Sequence, residues 1–231
     1  MFKHIHKGTG QALPRVVQIG FNKCGTRSLQ QLFEGAGYPV VQHKIRKPFR
    51  RSRKAAYVMQ QNIEAGRKIF AGMDEYIYYG GLIHQTENVS FEGIRHFRNI
   101  LHDYPGTILI LNLRDREDWI RSRLKHGRGE LLQRVMLQRG VATPEEVAEQ
   151  WREEWDKHVA DVRGYMADFP DQMIEFNLDT DDVKSLTDQL PAYGLKASDW
   201  GDVGRTRGVR ENALIRRLNG WWAHVRPRSE T

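Results

Sequence analysis

Short apolar runs alternate with segments of helical periodicity along most of the chain. Apolar runs predict strands at 16–20, around Val40, and at 67–73, 107–113 and 172–178. Helical spacing predicts helices at 26–36, 54–66, 91–104, 115–125, 129–139, 144–167, 181–190 and 211–223. The run at 107–113 is the strongest strand, and it is apolar on both faces, as in a central parallel strand covered by helices.

Alternating strands and helices predict right-handed crossovers, and therefore an α/β fold. We expect a single three-layer domain over 1–231, with a mostly parallel central sheet flanked by helices. Its core should span about 15–190, followed by a helical tail over 191–231. Ligands of such sheets bind beyond the carboxyl ends of the strands, so Gly20 and Leu113 mark the candidate site.

Composition narrows the class of ligand. The 231 residues are 39% hydrophobic and 28% charged, which is typical of a folded globular protein, and the net charge of +7 favours anionic ligands. Much of the excess lies between Lys44 and Lys54, which is either a solvated basic surface or a rim that attracts an acidic substrate. Nucleic acid is an unlikely partner, because only Phe49 and Tyr57 interleave with these basic residues.

The chain is expected to be cytoplasmic. Its single cysteine, Cys24, excludes an internal disulfide and fits a reducing compartment. The basic N-terminus lacks the apolar stretch of a secretory signal, and no window approaches the roughly 20 apolar residues of a membrane span.

The first strand runs into a loop of the phosphate-binding type, "VVQIGFNKCGTRSL". Gly20 and Gly25 allow a tight turn into the next helix, whose first N–H groups form an anion site. Lys23 adds a cation, while Thr26 and Ser28 add hydroxyl donors. A nucleoside-triphosphate loop would place lysine where Thr26 stands, so this spacing disfavours ATP and GTP. A plain strand-to-helix turn is the simpler alternative.

The pattern K-x-G-T-x-S after a strand resembles the 5′-phosphosulfate loop of sulfotransferases that use 3′-phosphoadenosine 5′-phosphosulfate (PAPS), particularly glycan and bacterial enzymes. The resemblance covers Arg15 to about Leu190. It implies that the donor's sulfate end is held by Lys23, Cys24, Gly25, Thr26, Arg27 and Ser28.

The family also binds the 3′-phosphate through an arginine at the end of a central strand and a serine eight residues later. Arg114 and Ser122 match that signature, and arginine suits bidentate phosphate binding. A late family loop of the form Arg-Lys-Gly is matched less well, because a threonine replaces the lysine. Its counterparts here are Arg205, Arg207 and Gly208.

The resemblance implies transfer of a sulfuryl group to a hydroxyl or amine, with release of adenosine 3′,5′-bisphosphate (PAP) and no metal. Lys23 would neutralise charge on the leaving phosphate, and a general base would take the acceptor's proton. We predict Asp74 as this base, then Glu75, at the end of the strand over 67–73. His84 and His43 are the next candidates, and a helix-capping role is the alternative for Asp74.

The acceptor is a glycan, lipid-linked sugar or small metabolite, with an anionic saccharide among the options, and the sequence is compatible with an oligomer. Two other functions stay open. One is a nucleotide kinase with an irregular loop, which would need a carboxylate for magnesium at a strand end. The other is a basic nucleic-acid-binding or regulatory protein that keeps the loop without catalysis.

Overall fold

The structure is a computed structural model and describes residues 12–45, 52–86 and 88–201. In chain order, the strands of this part are β1 Val16–Gln18, β2 Val40–Gln42, β3 Lys44–Ile45, β4 Arg53–Lys54, β5 Tyr78–Gly80, β6 Ile83–Gln85, β7 Ser90–Glu92, β8 Ile108–Leu113 and β9 Met173–Asn177. Its α-helices are α1 Thr26–Gly35, α2 Ala55–Glu64, α3 Phe97–Asp103, α4 Arg116–Leu124, α5 Glu130–Arg139, α6 Pro144–Met166 and α7 Val183–Asp188.

The central sheet has the order β4-β3-β2-β5-β1-β8-β9. Strands β2, β5, β1, β8 and β9 are parallel, and the short β3 and β4 extend one edge as antiparallel strands. Strand β1 therefore lies between β5 and β8, with Val16 paired to Tyr78 on one side and to Ile108 on the other. The predicted α/β class, with a mostly parallel sheet flanked by helices, is confirmed.

Alternate residues of the buried strands point to opposite faces, and each face has its own core. Val17, Tyr79 and Leu111 pack into the larger cluster with residues of α2 to α6. Val16, Tyr78 and Ile110 pack into a second cluster with residues of α1 and α7. This two-sided burial explains why the sheet strands are apolar without alternation.

The long helix α6 matches its prediction because its start is written locally in the sequence. Thr143 caps the helix by accepting a hydrogen bond from the N–H of Glu146, the Glu146 carboxylate accepts from the N–H of Thr143, and Pro144 occupies the first turn. We note also that no α-helix within the described ranges is long and apolar enough to cross a membrane.

Two predicted elements are wrong. The segment 67–73 is not a strand but a series of turns, in which the side chain of Asn62 binds the carbonyls of Ile69 and Ala71. The strand that joins the sheet beside β1 is β5, five residues later. The predicted helix at 91–104 instead begins with β7, passes through a 3-10 turn at Gly93–His96 and becomes α-helical only at Phe97. The predicted helix at 211–223 lies outside the described residues.

Candidate active site

The loop between β1 and α1 has the backbone of an anion-binding turn. Lys23 and Gly25 both have φ of 73°, in the left-handed backbone region that residues other than glycine rarely adopt. Helix α1 then begins without a side-chain cap and without an acidic residue in its first turn. Its first N–H groups and its dipole are therefore available to an anion in front of the loop.

A buried side chain of the neighbouring strand holds this loop. Asn112 on β8 is fully buried; it accepts a hydrogen bond from the N–H of Gly20 at 3.0 Å and donates one to the carbonyl of Cys24 at 2.6 Å. One amide thus joins both ends of the turn. Sequence reasoning missed Asn112, although a single polar residue inside the strongest apolar strand was a usable signal.

Further contacts fix the middle and the flank of the loop. The indole of Trp119 donates to the carbonyl of Asn22 at 2.9 Å. Buried Gln18 donates to the carbonyl of Gly20 and accepts from the N–H of Gly81 at 3.2 Å, so it ties β1 to the turn after β5. Gly20 is required by close approach, since a Cβ there would lie 2.0 Å from the carbonyl oxygen of Asn112.

The predicted loop residues differ in what their side chains can do. Burial, and then the charges of Arg114 and Arg27, lower the pKa of the half-buried Lys23. Cys24 is buried in the core and its pKa is raised by burial, so only its backbone faces the turn. The hydroxyl of Ser28 donates to the carbonyl of Gly201, so this hydroxyl proton is directed at the chain and not at a ligand.

The second predicted anion site lies next to the first. The Nη1 of Arg114, which directly follows β8, donates to the carbonyl of Lys23 at 3.2 Å. The carboxylates of Asp118 and Asp179 are each 3.9 Å from its Nη2, too far for hydrogen bonds. Its Nε is buried and has no hydrogen-bond partner in the described part of the chain. An arginine with a free buried donor suits a phosphate.

The loop after β1 and the Arg114 site after β8 line one cleft at the carboxyl edge of the sheet. The lining includes Lys23, Gly25, Thr26, Arg27, Ser28, Arg114 and Ser122, and the volume is about 1110 Å³. Small-ligand pockets typically measure about 300–1,000 Å³, so there is room for a nucleotide and a second substrate. The structure brings these predicted residues together.

Two histidines line the same cleft. His43 directly follows β2 with φ of 62°, and its backbone N–H donates to the carbonyl of Gly80 at 3.1 Å. His126, which is exposed, lies in the cleft after α4. Desolvation is the main cause that lowers the pKa of each ring, which favours the neutral form. His84 lies on β6, outside this lining, with its ring against Tyr57.

The structure does not bring Asp74 and Glu75 to the cleft. Both precede β5, whereas the loop with Lys23 follows β1, so they lie at the opposite edge of the parallel sheet. The carboxylate of Asp74 is 3.4 Å from Nη2 of Arg15 and accepts from the hydroxyl of Tyr104 at 3.2 Å. The assignment of Asp74 as base depended on a strand over 67–73, which is absent.

Several predicted residues cannot be placed. Arg205, Arg207 and Gly208 lie outside the described residues, as does the basic segment 46–51. The described chain ends at Gly201, beside the loop. The ring of Trp200 and the side chain of Leu178 border Gly25, whose Cβ position is 3.4 Å and 3.2 Å from them.

Comparison with known proteins identifies a family for this chain. The family model described as sulfotransferase domain matches residues 15–165, more than half of the chain. The chain therefore belongs to the sulfotransferase domain family, and this membership supports sulfuryl transfer in general. Among solved structures, the chain is similar to a sulfotransferase from Alicyclobacillus acidocaldarius, with 16% identity, 93% of each chain covered and a TM-score of 0.46. No curated protein matches the sequence.

Proposed function

We propose that this protein transfers the sulfuryl group of PAPS to a hydroxyl or amine acceptor. The observation that carries the proposal is the shared cleft, in which the Lys23 loop after β1 and Arg114 after β8 lie side by side. Two cationic sites on adjacent parallel strands suit a nucleotide with phosphate groups at both its 5′ and 3′ positions.

The roles follow from position in the cleft. The N–H groups at the start of α1 bind the 5′ end, and Lys23 stabilises negative charge that develops there. Arg114 and Ser122 bind the 3′-phosphate, with the buried Nε of Arg114 as one donor. When bound, PAPS supplies the activated sulfuryl group. Asn112 keeps the loop rigid, so that the donors are oriented before the ligand arrives.

His43 is the general base of this proposal. A neutral imidazole accepts a proton, and burial lowers the pKa of the His43 ring in the cleft, which favours that neutral form. Its left-handed backbone is a strained conformation of the kind found at functional sites. Asp74 is not proposed again, because it lies at the other edge of the sheet.

Calorimetry with PAP in the presence of a chelator tests donor binding. Lys23→Ala and Arg114→Gln should each weaken the affinity about 10–100-fold, because a hydrogen bond to a charged group contributes about 1.5–3 kcal/mol. Arg116→Gln is the matched control, since its guanidinium bonds Asp156 and it does not line the cleft. Magnesium-dependent ATP binding without PAP binding would favour the kinase alternative instead.

Turnover tests the base. His43→Gln should reduce labelled sulfate transfer at least about 100-fold, which is the low end of general-base contributions, while PAP affinity stays within about twofold. Asp74→Asn is the comparison. A loss of turnover in Asp74→Asn but not in His43→Gln would show that the assignment is wrong.

A further inference from the structure

If the proposed transfer is correct, the acceptor must enter from one particular side of the cleft. Strand β1 lies between β8 and β5, and Arg114 follows β8. A donor that reaches from the Lys23 loop to Arg114 covers the β8 side. The acceptor then approaches over the ends of β5 and β2, where Gly81 and His43 lie.

Two lysines face each other beside this entrance. In the β3–β4 ladder, which continues the sheet from β2, Lys44 is the direct partner of Lys54. Direct partners in antiparallel strands project to the same face, and like charges in this arrangement destabilise the pair. No carboxylate of the described residues forms an ion pair with either lysine. The strands thus hold two positive charges together without a compensating group from that part of the chain.

The charges of this lysine pair act on the proposed base. Desolvation and both lysines lower the pKa of His43, while Lys54 also lowers that of His84. Both lysines are therefore close enough to influence the place where the acceptor would lose its proton. Helix α2 begins directly after Lys54 with no side-chain cap and no acidic residue in its first turn, which adds to the positive potential.

We propose that Lys44 and Lys54 form an anion subsite for the acceptor. The acceptor accordingly carries a carboxylate, sulfate or phosphate group near the hydroxyl or amine that is sulfated. Binding this group relieves the repulsion between the two lysines and orients the reacting oxygen or nitrogen toward His43. This subsite rests on the proposed sulfuryl transfer, but it makes a separate claim about charge.

Matched pairs of acceptors test the claim. Glucuronate is compared with glucose, and 4-hydroxybenzoate with its methyl ester, in labelled sulfate transfer from PAPS by the full-length protein. For a pair that is turned over, kcat/KM should be at least tenfold higher for the anionic member. Lys44→Gln/Lys54→Gln should abolish this preference. The control Lys68→Gln/Lys157→Gln removes two exposed lysines that lie outside the β3–β4 ladder and do not influence His43, and it should keep the preference.

Binding gives the same test without turnover. The anionic and the neutral member of each pair are titrated by NMR into protein saturated with PAP. The anionic member should bind the unmodified protein at least tenfold more tightly. This difference should disappear when both subsite lysines are replaced. Three results would overturn the subsite: equal binding of the anionic and neutral members of both pairs to the unmodified protein, a preference that survives Lys44→Gln/Lys54→Gln, or an equal loss of preference in the control. PAP affinity should be the same in both double variants. Failure of the unmodified protein to bind PAP would instead refute the proposed function.

Discussion

Removing the side chain of Asn112 should affect both folding and donor binding. Asn112→Ala deletes a donor and an acceptor that hold the two ends of the loop, at 2.6 Å from the Cys24 carbonyl and 3.0 Å from the Gly20 N–H. Each of the two backbone groups left buried and unsatisfied costs about 1–3 kcal/mol, so the free energy of unfolding should fall by about 2–6 kcal/mol. If the loop in the variant instead moves into water, part of the binding free energy of PAP must be used to order the loop again.

That reordering sets the size of the binding effect. In the unmodified protein each of the two Asn112 bonds contributes about 0.5–1.5 kcal/mol to holding the loop in its binding conformation, so their loss corresponds to about 5–150-fold in affinity for PAP. Calorimetry at a temperature where each variant is folded measures this affinity, and urea unfolding measures stability.

Asn62→Ala provides the matched control. Asn62 is also a buried asparagine that donates to two carbonyls, at 3.1 Å and 2.9 Å, but it lies on α2, binds the turns before β5 and does not line the cleft. Its loss should destabilise the protein to a similar extent and leave PAP affinity unchanged. If Asn112→Ala binds PAP as the unmodified protein does, or if Asn62→Ala weakens binding equally, the idea that Asn112 preorganises the loop is wrong.

Three further predictions concern stability. Gly20→Ala should destabilise by more than about 3 kcal/mol in urea unfolding, because its Cβ would lie 2.0 Å from a backbone oxygen of β8. Glu92→Gln should cost about 3–5 kcal/mol in the same assay, since it leaves the buried guanidinium of Arg123, now 3.1 Å away, without its counter-charge. Burial lowers the pKa of His158, so the unfolded state binds more protons and stability should fall as the pH drops below about 6.5, with a smaller slope in His158→Gln.

The first two substitutions have controls with opposite or smaller expected effects. Gly164→Ala, in the exposed last turn of α6, should stabilise by about 0.5–1 kcal/mol. Arg98→Gln breaks an exposed ion pair with Asp161 and should cost no more than about 1 kcal/mol. Equal effects in a variant and its control would contradict the corresponding argument.

Features that depend on neighbours in the chain were predicted correctly. The cap of α6 is determined by four consecutive residues, Thr143 to Glu146, and the strand-loop-helix around Lys23 is predicted by its glycines and its apolar run. Arg114 and Ser122 could be paired because a strand end and the following helix are contiguous. These are local signals, since a few adjacent residues determine the backbone there.

Only the tertiary structure decided which apolar run joins the sheet beside β1. The runs at 67–73 and at Tyr78–Gly80 are both apolar, but the second pairs with β1 and β2 on its two sides. That choice places Asp74 at the amino edge and leaves His43 at the carboxyl edge.

The contacts of Asn112 with the loop were likewise decided by a neighbouring strand, and the position of Lys54 opposite Lys44 by the β3–β4 pairing. The physical reason is that sheet hydrogen bonds and cross-strand contacts join residues far apart in sequence. Propensity and periodicity describe only each segment by itself.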